Sequence, residues 1–274
     1  MGQRLSPSEV EFYHEHGYLA LPKAIPDEDV EVLRRETTEI FRGKYAVEGI
    51  VPLSESATED ECLGEYLCIH QPHKLSAVME GFLAHPGIVG ALSDLIGPNV
   101  KCMQSMLFVK PPGFPGQAWH QDERYIPTED RSLTGAWVAI DDATVENGCL
   151  WVVPGSHRDA LHETGSQPDN DEYDGIGEIA LDVPTGRAIP LEIEKGGVLF
   201  FNGFLLHESR RNRSTRYRRS LVNHYMSGES RLSWCGYDDF PDVKIVLGVD
   251  PHPERGFADL SKPWLRPAGA VRHQ

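Results

Sequence analysis

Beyond Val100 the chain is a succession of short runs rich in β-branched and aromatic residues, separated by glycine, proline and asparagine. Runs of this kind are typical of β-strands joined by turns. The predicted strands cover residues 100–109, 117–123, 134–141, 148–153, 190–194, 197–201, 204–209 and 217–226. Successive short strands of this number predict a double-sheet barrel of jelly-roll type, a double-stranded β-helix like that of cupins, which leaves few strand edges exposed.

The first hundred residues predict helices instead. Ser6-Pro7-Ser8-Glu9 is a capping box with proline in the first helical turn, and Gly17 is suited to end that helix. A second helix is expected between Pro26 and Gly43, because apolar residues recur there on one face. Further helical segments are predicted in residues 75–79 and 86–95, whereas residues 44–74 give no clear pattern.

These patterns indicate one domain over residues 1–274, mainly β with flanking helices. Residues 1–98 form a mostly helical N-terminal flank, residues 99–226 the barrel core, and residues 227–274 a C-terminal extension. Residues 158–188 are rich in Asp, Glu, Gly and Pro, so they predict a long surface loop within the core. Loops of this length often cover an active site.

Composition restricts the partners and the compartment. The formal net charge of −16 argues against nucleic acid and against anionic membranes as partners. No apolar run has the length of a membrane span, and the N-terminus lacks the apolar region of a signal peptide. We therefore expect a cytoplasmic protein with reduced thiols and no structural zinc site, since no CxxC pair occurs. The cysteines are Cys62, Cys68, Cys102, Cys149 and Cys235.

The segment Trp119-His120-Gln121-Asp122 carries the strongest chemical signal. In an extended strand, His120 and Asp122 point to the same side and can bind one metal ion. In a chain with 12 histidines an HxD tripeptide is expected about once by chance. A second one, His157-Arg158-Asp159, follows a tight turn and leads into the polar loop, so the first is the better candidate.

His207 is the candidate third ligand, which would complete the two-histidine, one-carboxylate set of a non-haem iron site. It lies in an apolar strand, so taken alone it is also compatible with a hydrogen-bonded core histidine. If residues 204–209 and 217–226 form a hairpin, His207 lies directly opposite Arg218 and on the same face as Ser220. Arg218 could then hold an organic acid against the metal; alternatively it belongs to a basic strand edge with Arg216 and Arg219.

As a set, these motifs resemble the phytanoyl-CoA dioxygenase family of iron(II)/2-oxoglutarate-dependent oxygenases over roughly residues 9–226. The resemblance implies that His120, Asp122 and His207 bind iron, and that Arg218 and Ser220 hold the distal carboxylate of 2-oxoglutarate. It further implies that Gln104, Gln121 and Trp137 line the co-substrate or substrate pocket and that His157 belongs to a structural turn. The motifs are Phe12-Tyr13 to Gly17-Tyr18-Leu19, His120-Gln121-Asp122, Gly148-Cys149-Leu150 to Pro154-Gly155-Ser156-His157, Gly196-Gly197 to Phe200-Phe201, His207, and Tyr217-Arg218 with Ser220.

The resemblance also implies a reaction. Related halogenases have alanine or glycine in place of the carboxylate, so Asp122 favours hydroxylation of an unactivated C–H bond, with dioxygen consumed and 2-oxoglutarate converted to succinate. The substrate is expected to be a small molecule: a polar metabolite, a natural-product scaffold or an acyl-CoA. Two alternatives stay open, namely a cupin-like metalloenzyme that does not use 2-oxoglutarate and a non-catalytic binding or sensing homologue.

Overall fold

The N-terminal part of the chain is helical in a computed structural model, which describes residues 4–64, 66–167, 170–230, 244–252 and 262–267. The capping box predicted at Ser6 and Glu9 is present, and Gly17 ends the first helix with a φ of 82°. Within residues 44–74, which gave no prediction, a short helix and a strand form. The helices are α1 (Pro7–His16), α2 (Asp27–Arg42), α3 (Glu59–Leu63), α4 (Ala77–Leu83) and α5 (Pro86–Leu95).

The rest of the described chain is built from antiparallel strands. They are β1 (Tyr18–Leu21), β2 (Tyr66–His70), β3 (Val100–Lys110), β4 (Thr134–Ala139), β5 (Leu150–Val152), β6 (Thr164–Ser166), β7 (Glu178–Ala180), β8 (Ile189–Leu191), β9 (Val198–Asn202), β10 (His207–Ser209), β11 (Arg218–Ser227), β12 (Lys244–Leu247) and β13 (Trp264–Pro267). The main sheet has the order β1-β9-β4-β11-β3-β2-β13, with β12 also paired to β3. A second sheet has the order β10-β5-β8, and β6 pairs with β7.

The main sheet separates two apolar layers. Leu221 and Tyr225 of β11 point to the outer layer, where the main sheet packs against the N-terminal helices. Val222 points to the inner layer, where it packs with Val152 of the second sheet. Because alternate residues of a strand face opposite sides, β11 presents its even-numbered residues to the space between the sheets. The predicted class, mainly β with flanking helices around a jelly-roll core, is confirmed.

The predicted hairpin between residues 204–209 and 217–226 is wrong. β10 pairs with β5, so that His207 lies opposite Val152, whereas β11 pairs with β3 and β4, so that Arg218 lies opposite Lys110. The intervening residues cross from one sheet to the other instead of reversing within one. Asn212 fixes this crossing, because its side-chain amide donates to the carbonyl oxygens of Lys110 and Arg216.

Two further predictions differ in detail. The strand expected at residues 117–123 is reduced to one bridge between His120 and His207, and Asp122–Arg124 form a short 3₁₀ helix. The predicted loop 158–188 contains the β6–β7 hairpin. Part of the C-terminal extension, including Cys235, lies outside the described residues. In the described part of the chain, no helix is both long and apolar enough to cross a membrane.

Candidate metal centre and co-substrate cavity

His120 and His207 face each other across a single antiparallel bridge. The backbone N–H of His120 donates to the carbonyl of His207 at 3.0 Å, and the N–H of His207 donates back at 3.1 Å. Their ring centroids are 4.1 Å apart, and both side chains are buried. The bridge joins the chain before Asp122 to the second sheet. It therefore brings together two imidazoles that are 87 positions apart in sequence.

Asp122 completes a group that could hold one metal ion. Its Oδ1 atom is 3.5 Å from His120 Nε2 and 3.7 Å from His207 Nε2. One ligand atom from each of the three residues lies within 4.8 Å of the others. Asp122 reaches this position from the first residue of a 3₁₀ helix and not from a strand, since the chain turns directly after the bridge.

Hydrogen bonds on the far side of each ring prepare both histidines for a metal. His120 Nδ1 lies 2.7 Å from the carbonyl oxygen of Ala118, and His207 Nδ1 lies 2.8 Å from that of Leu205. A carbonyl oxygen only accepts hydrogen bonds, so each Nδ1 carries the proton. In the neutral ring the Nε2 lone pair then points toward Asp122, which is the arrangement that metal-ligating histidines adopt.

Electrostatics in the site favour a neutral His120 ring and an ionised Asp122 carboxylate. Burial and the neighbouring His207 lower the pKa of His120 to about 4, so the ring is neutral at pH 7. Burial would raise the pKa of Asp122, but His207 and His224 outweigh it and hold that pKa below its usual range. Two imidazole nitrogen donors and one carboxylate suit a divalent first-row metal such as iron(II).

The three residues line a cavity of about 460 Å³ between the two sheets. Arg218 extends into the same cavity from β11, and its side chain is 4% exposed. Its guanidinium donates to Ser220 Oγ at 3.1 Å and lies 5.4 Å from the centre of the Trp137 ring. Arg218 Nε has no hydrogen-bond partner, and no carboxylate of the described residues forms an ion pair with this side chain. Burial lowers its pKa to about 10.

A second buried cation lies beside the first. Lys110, directly opposite Arg218 in the sheet, donates from Nζ to Ser209 Oγ at 3.0 Å and to the carbonyl of Arg210 at 2.7 Å. Burial and the nearby Arg218 charge lower the pKa of Lys110 well below its usual value. Both basic side chains line the cavity together with Ser209. This end of the cavity could therefore hold an anion.

The remaining residues singled out from sequence occupy different environments. Gln104 and Trp137 line the cavity. Ser220 is fully buried and lies outside the cavity lining, where it accepts from Arg218. Gln121 is also outside the lining: its amide donates to the carbonyl of Phe204 at 2.7 Å, and its carbonyl accepts from the N–H of His162 at 2.8 Å. Gln121 thus anchors the chain around the site.

His157, in the second HxD tripeptide, lies away from the metal group. Its Nε2 is 3.1 Å from the carbonyl of His14, and its ring packs against Gly17, where a Cβ would lie 2.4 Å from Nδ1. The ring therefore joins the end of α1 to the turn before the polar loop. Asp159 of the same tripeptide is exposed at the surface.

Several residues of the site were missed from sequence. His224 contacts Asp122, and Ser209 accepts a hydrogen bond from Lys110. Trp264 of β13 lines the cavity while stacked on His70 at 3.6 Å. For Ser209 and His224 a signal existed, since each lies at an even spacing from His207 or Arg218 on a strand. Trp264 had no such signal, because its contact with the cavity depends on β13 joining the sheet edge.

Residues 170–177 form a segment over the cavity, which we term the lid. It is held by a hydrogen bond from the Tyr173 hydroxyl to the fully buried Glu208 at 2.5 Å and by an ion pair between Glu172 and Arg213 at 2.5 Å. Backbone bonds join Gly116 to Glu172 and to Asp174. The lid contributes Asp174, Ile176 and Gly177 to the cavity lining.

The family model "Phytanoyl-CoA dioxygenase (PhyH)" matches residues 13–220, so the chain belongs to the phytanoyl-CoA dioxygenase family. The jelly-roll fold and the candidate metal group described above agree with membership of this family. Among curated relatives, a phytanoyl-CoA dioxygenase of Arabidopsis thaliana is 27% identical over 285 residues, covering 89% of this chain and 98% of that protein.

Two solved structures share the fold. The non-heme monooxygenase ThoJ in its apo form has a TM-score of 0.67 at 20% identity, covering 88% of this chain and 84% of its own. The epimerase SnoN, solved with Fe³⁺, α-ketoglutarate and nogalamycin RO, has a TM-score of 0.66 at 19% identity, covering 95% and 97%. Proteins of similar fold, here a monooxygenase and an epimerase, thus carry out different reactions.

Proposed function

We propose that this protein is an iron(II)- and 2-oxoglutarate-dependent dioxygenase that hydroxylates an unactivated C–H bond of a small molecule. The observation that carries the proposal is that the His120–Asp122–His207 group and the guanidinium of Arg218 share one cavity. The residues fit both groups: each Nε2 lone pair can bind a metal, and a buried guanidinium without a carboxylate partner calls for an anion.

We assign the co-substrate's distal carboxylate to Arg218 and Ser209. Ser209 Oγ already accepts hydrogen bonds from Lys110 Nζ and from the N–H of Gln117, so its own hydrogen is left to donate. The Lys110 amine supports Ser209 from behind, while Ser220 holds the guanidinium in place. Charge-assisted hydrogen bonds of this kind are short and strong, and a guanidinium binds a carboxylate through two of them.

Bound iron(II), 2-oxoglutarate and dioxygen together supply the oxidation of the C–H bond, with succinate and carbon dioxide as co-products. The contribution of the chain is to bind and orient these groups and to keep water away, since the three ligands and both cations are largely buried. The carboxylate of Asp122 supports hydroxylation, because it occupies the position that related halogenases leave for a halide.

We further propose a substrate with an apolar body and without a coenzyme A group. Three large apolar side chains are exposed where they border the cavity: Tyr125 (49%), Ile176 (42%) and Trp264 (49%). Two of the arginines that could attract the phosphates of coenzyme A are paired with carboxylates instead: Arg213 with Glu172 and Arg210 with Glu208. The predicted cytoplasmic location stays a prediction.

The test is an anaerobic titration of the metal-free protein with iron(II) and then with 2-oxoglutarate, followed by visible absorption. Iron bound by a chelating 2-oxo acid gives a charge-transfer band, which we expect in the wild type and in Asp159→Ala but not in Asp122→Ala. Asp159 is a matched control, since it belongs to the other HxD tripeptide and is exposed. A band of equal intensity in Asp122→Ala would refute the metal assignment.

The same titration separates the alternatives. Binding of iron without a band would favour a cupin-like metalloenzyme that does not use 2-oxoglutarate. A band without substrate-dependent succinate formation, over a panel of apolar-bodied small molecules and acyl-CoA thioesters, would favour a non-catalytic homologue. Faster succinate formation with the acyl-CoA thioesters than with the free compounds would contradict the proposed substrate class.

A further inference from the structure

A chain of two hydrogen bonds lies behind Asp122. Gln104 Nε2 is 3.4 Å from His224 Nδ1, and His224 Nε2 is 2.9 Å from Asp122 Oδ2. An amide N–H₂ group only donates, so Nδ1 of His224 accepts and the ring proton is on Nε2. The ring therefore donates to the carboxylate, and Gln104 fixes the tautomer in which it can do so.

The main sheet holds this chain in place. His224 on β11 lies directly opposite Gln104 on β3, and the pairing shifts by one residue immediately afterwards. His224 is 4% exposed, and its other neighbour in the sheet is Gly135, which has no side chain to displace it. Buried between two strands, the imidazole has little freedom to leave Asp122 Oδ2.

The two oxygens of Asp122 therefore have different surroundings. Oδ2 accepts from His224, whereas Oδ1 is the oxygen 3.5 Å from His120 Nε2 and 3.7 Å from His207 Nε2. A carboxylate that rotated and bound a metal through both oxygens would occupy one more coordination position. Three ligand atoms leave three of six positions open, the number that a chelating 2-oxo acid and dioxygen together require.

We propose that His224 is a positioning residue that restricts Asp122 to one ligating oxygen, with Gln104 as the residue that orients His224. The inference rests on the proposed metal centre. Hydrogen bonds of this kind to a metal ligand typically contribute 10- to 100-fold to metal affinity. We therefore expect His224→Phe to lose about 10- to 100-fold in affinity for Co(II).

Co(II) is the probe because its visible absorption depends on coordination number, and this readout does not require turnover. We expect His224→Phe to change the spectrum of the bound ion and His224→Gln to restore it, since the glutamine amide N–H can also donate to Oδ2. Gln104→Leu should weaken binding less, because the ring stays in place and only its tautomer is released.

Tyr225→Phe is the matched control. Tyr225 is the next residue on β11, points to the helical layer and loses buried hydrogen bonds to Asn223 and Leu83 on substitution. We expect it to lower the melting temperature and to leave the Co(II) affinity and spectrum unchanged. A merely structural role for His224 predicts the same result for His224→Phe.

The outcomes distinguish this inference from the proposed function. If the wild type binds no Co(II), the metal centre itself is refuted and the inference fails with it. If the wild type binds Co(II) and both His224→Phe and Gln104→Leu keep its affinity and spectrum, only the inference is overturned. Should His224→Phe fail to fold by circular dichroism, Gln104→Leu and His224→Gln carry the test.

Discussion

Replacing Arg218 by methionine should remove 2-oxoglutarate binding without weakening the fold. Burial lowers the pKa of Arg218 from 12.5 to about 10, which corresponds to about 3 kcal/mol of unfavourable free energy for the charged side chain. Because arginine is charged in both the folded and the unfolded state at pH 7, that cost is fully present there. Methionine retains much of the packing volume and removes the charge.

Loss of the guanidinium should be severe for the co-substrate. A hydrogen bond to a charged group contributes about 1.5–3 kcal/mol, so losing a pair of them costs about 3–6 kcal/mol. This corresponds to a decrease in 2-oxoglutarate affinity of at least about 100-fold, since each 1.4 kcal/mol is a factor of ten. The measurement is calorimetric titration of the metal-loaded protein without oxygen, together with the free energy of unfolding in urea.

Arg219→Met is the matched control on the same strand. Arg219 is as buried as Arg218 but points to the other face, where it forms two hydrogen bonds with the Asp141 carboxylate at 2.7 and 2.8 Å. Breaking a buried ion pair costs about 3–5 kcal/mol, so this variant should be destabilised while it keeps its 2-oxoglutarate affinity. Equal affinities of Arg218→Met and wild type, or equal losses in the two variants, would refute the assignment.

Three further substitutions test the lid, the close backbone contact between Gly116 and Ser209, and the rim of the cavity. Tyr173→Phe removes a donor from the buried Glu208 carboxylate, which should cost about 1–3 kcal/mol and speed limited proteolysis within residues 158–188; unchanged cleavage would contradict the role of this bond. Gly116→Ala places a Cβ 1.8 Å from the carbonyl oxygen of Ser209, so we expect about 1–3 kcal/mol of destabilisation, against none in Gly186→Ala, where the Cβ meets nothing within 4 Å. Trp264→Ala should raise the KM for apolar-bodied substrates several-fold, with 2-oxoglutarate affinity unchanged; a loss of both would place Trp264 in the fold and not at the substrate.

The sequence predicted which three residues come together as a candidate metal group but not how they do so. His120, Asp122 and His207 could be identified because residue type and strand periodicity are local properties. Their assembly depends on the bridge between two segments 87 positions apart, which no local pattern encodes. Asp122 reaches the group through a 3₁₀ turn, whereas the sequence predicts it on a continuous strand.

Arg218 was singled out through an incorrect register. The predicted hairpin placed it opposite His207 in one sheet, whereas the two residues belong to different sheets that face each other across the cavity. The alternation of side chains along residues 217–226 is independent of the partner strand, so the side of the sheet was still predicted correctly. Partners that come from distant strands, such as Lys110 and Trp264, could not be derived from the same pattern.

Strand β11 sets the order of groups along the cavity. Its inner face carries Arg218, then Ser220, Val222 and His224, so a cation, its supporting hydroxyl, an apolar contact and the residue behind Asp122 follow one another. Residues two apart on a strand are about 6.6 Å apart, which spaces these groups along one line. The spacing between Arg218 and His224 is therefore set by one strand that is paired on both sides.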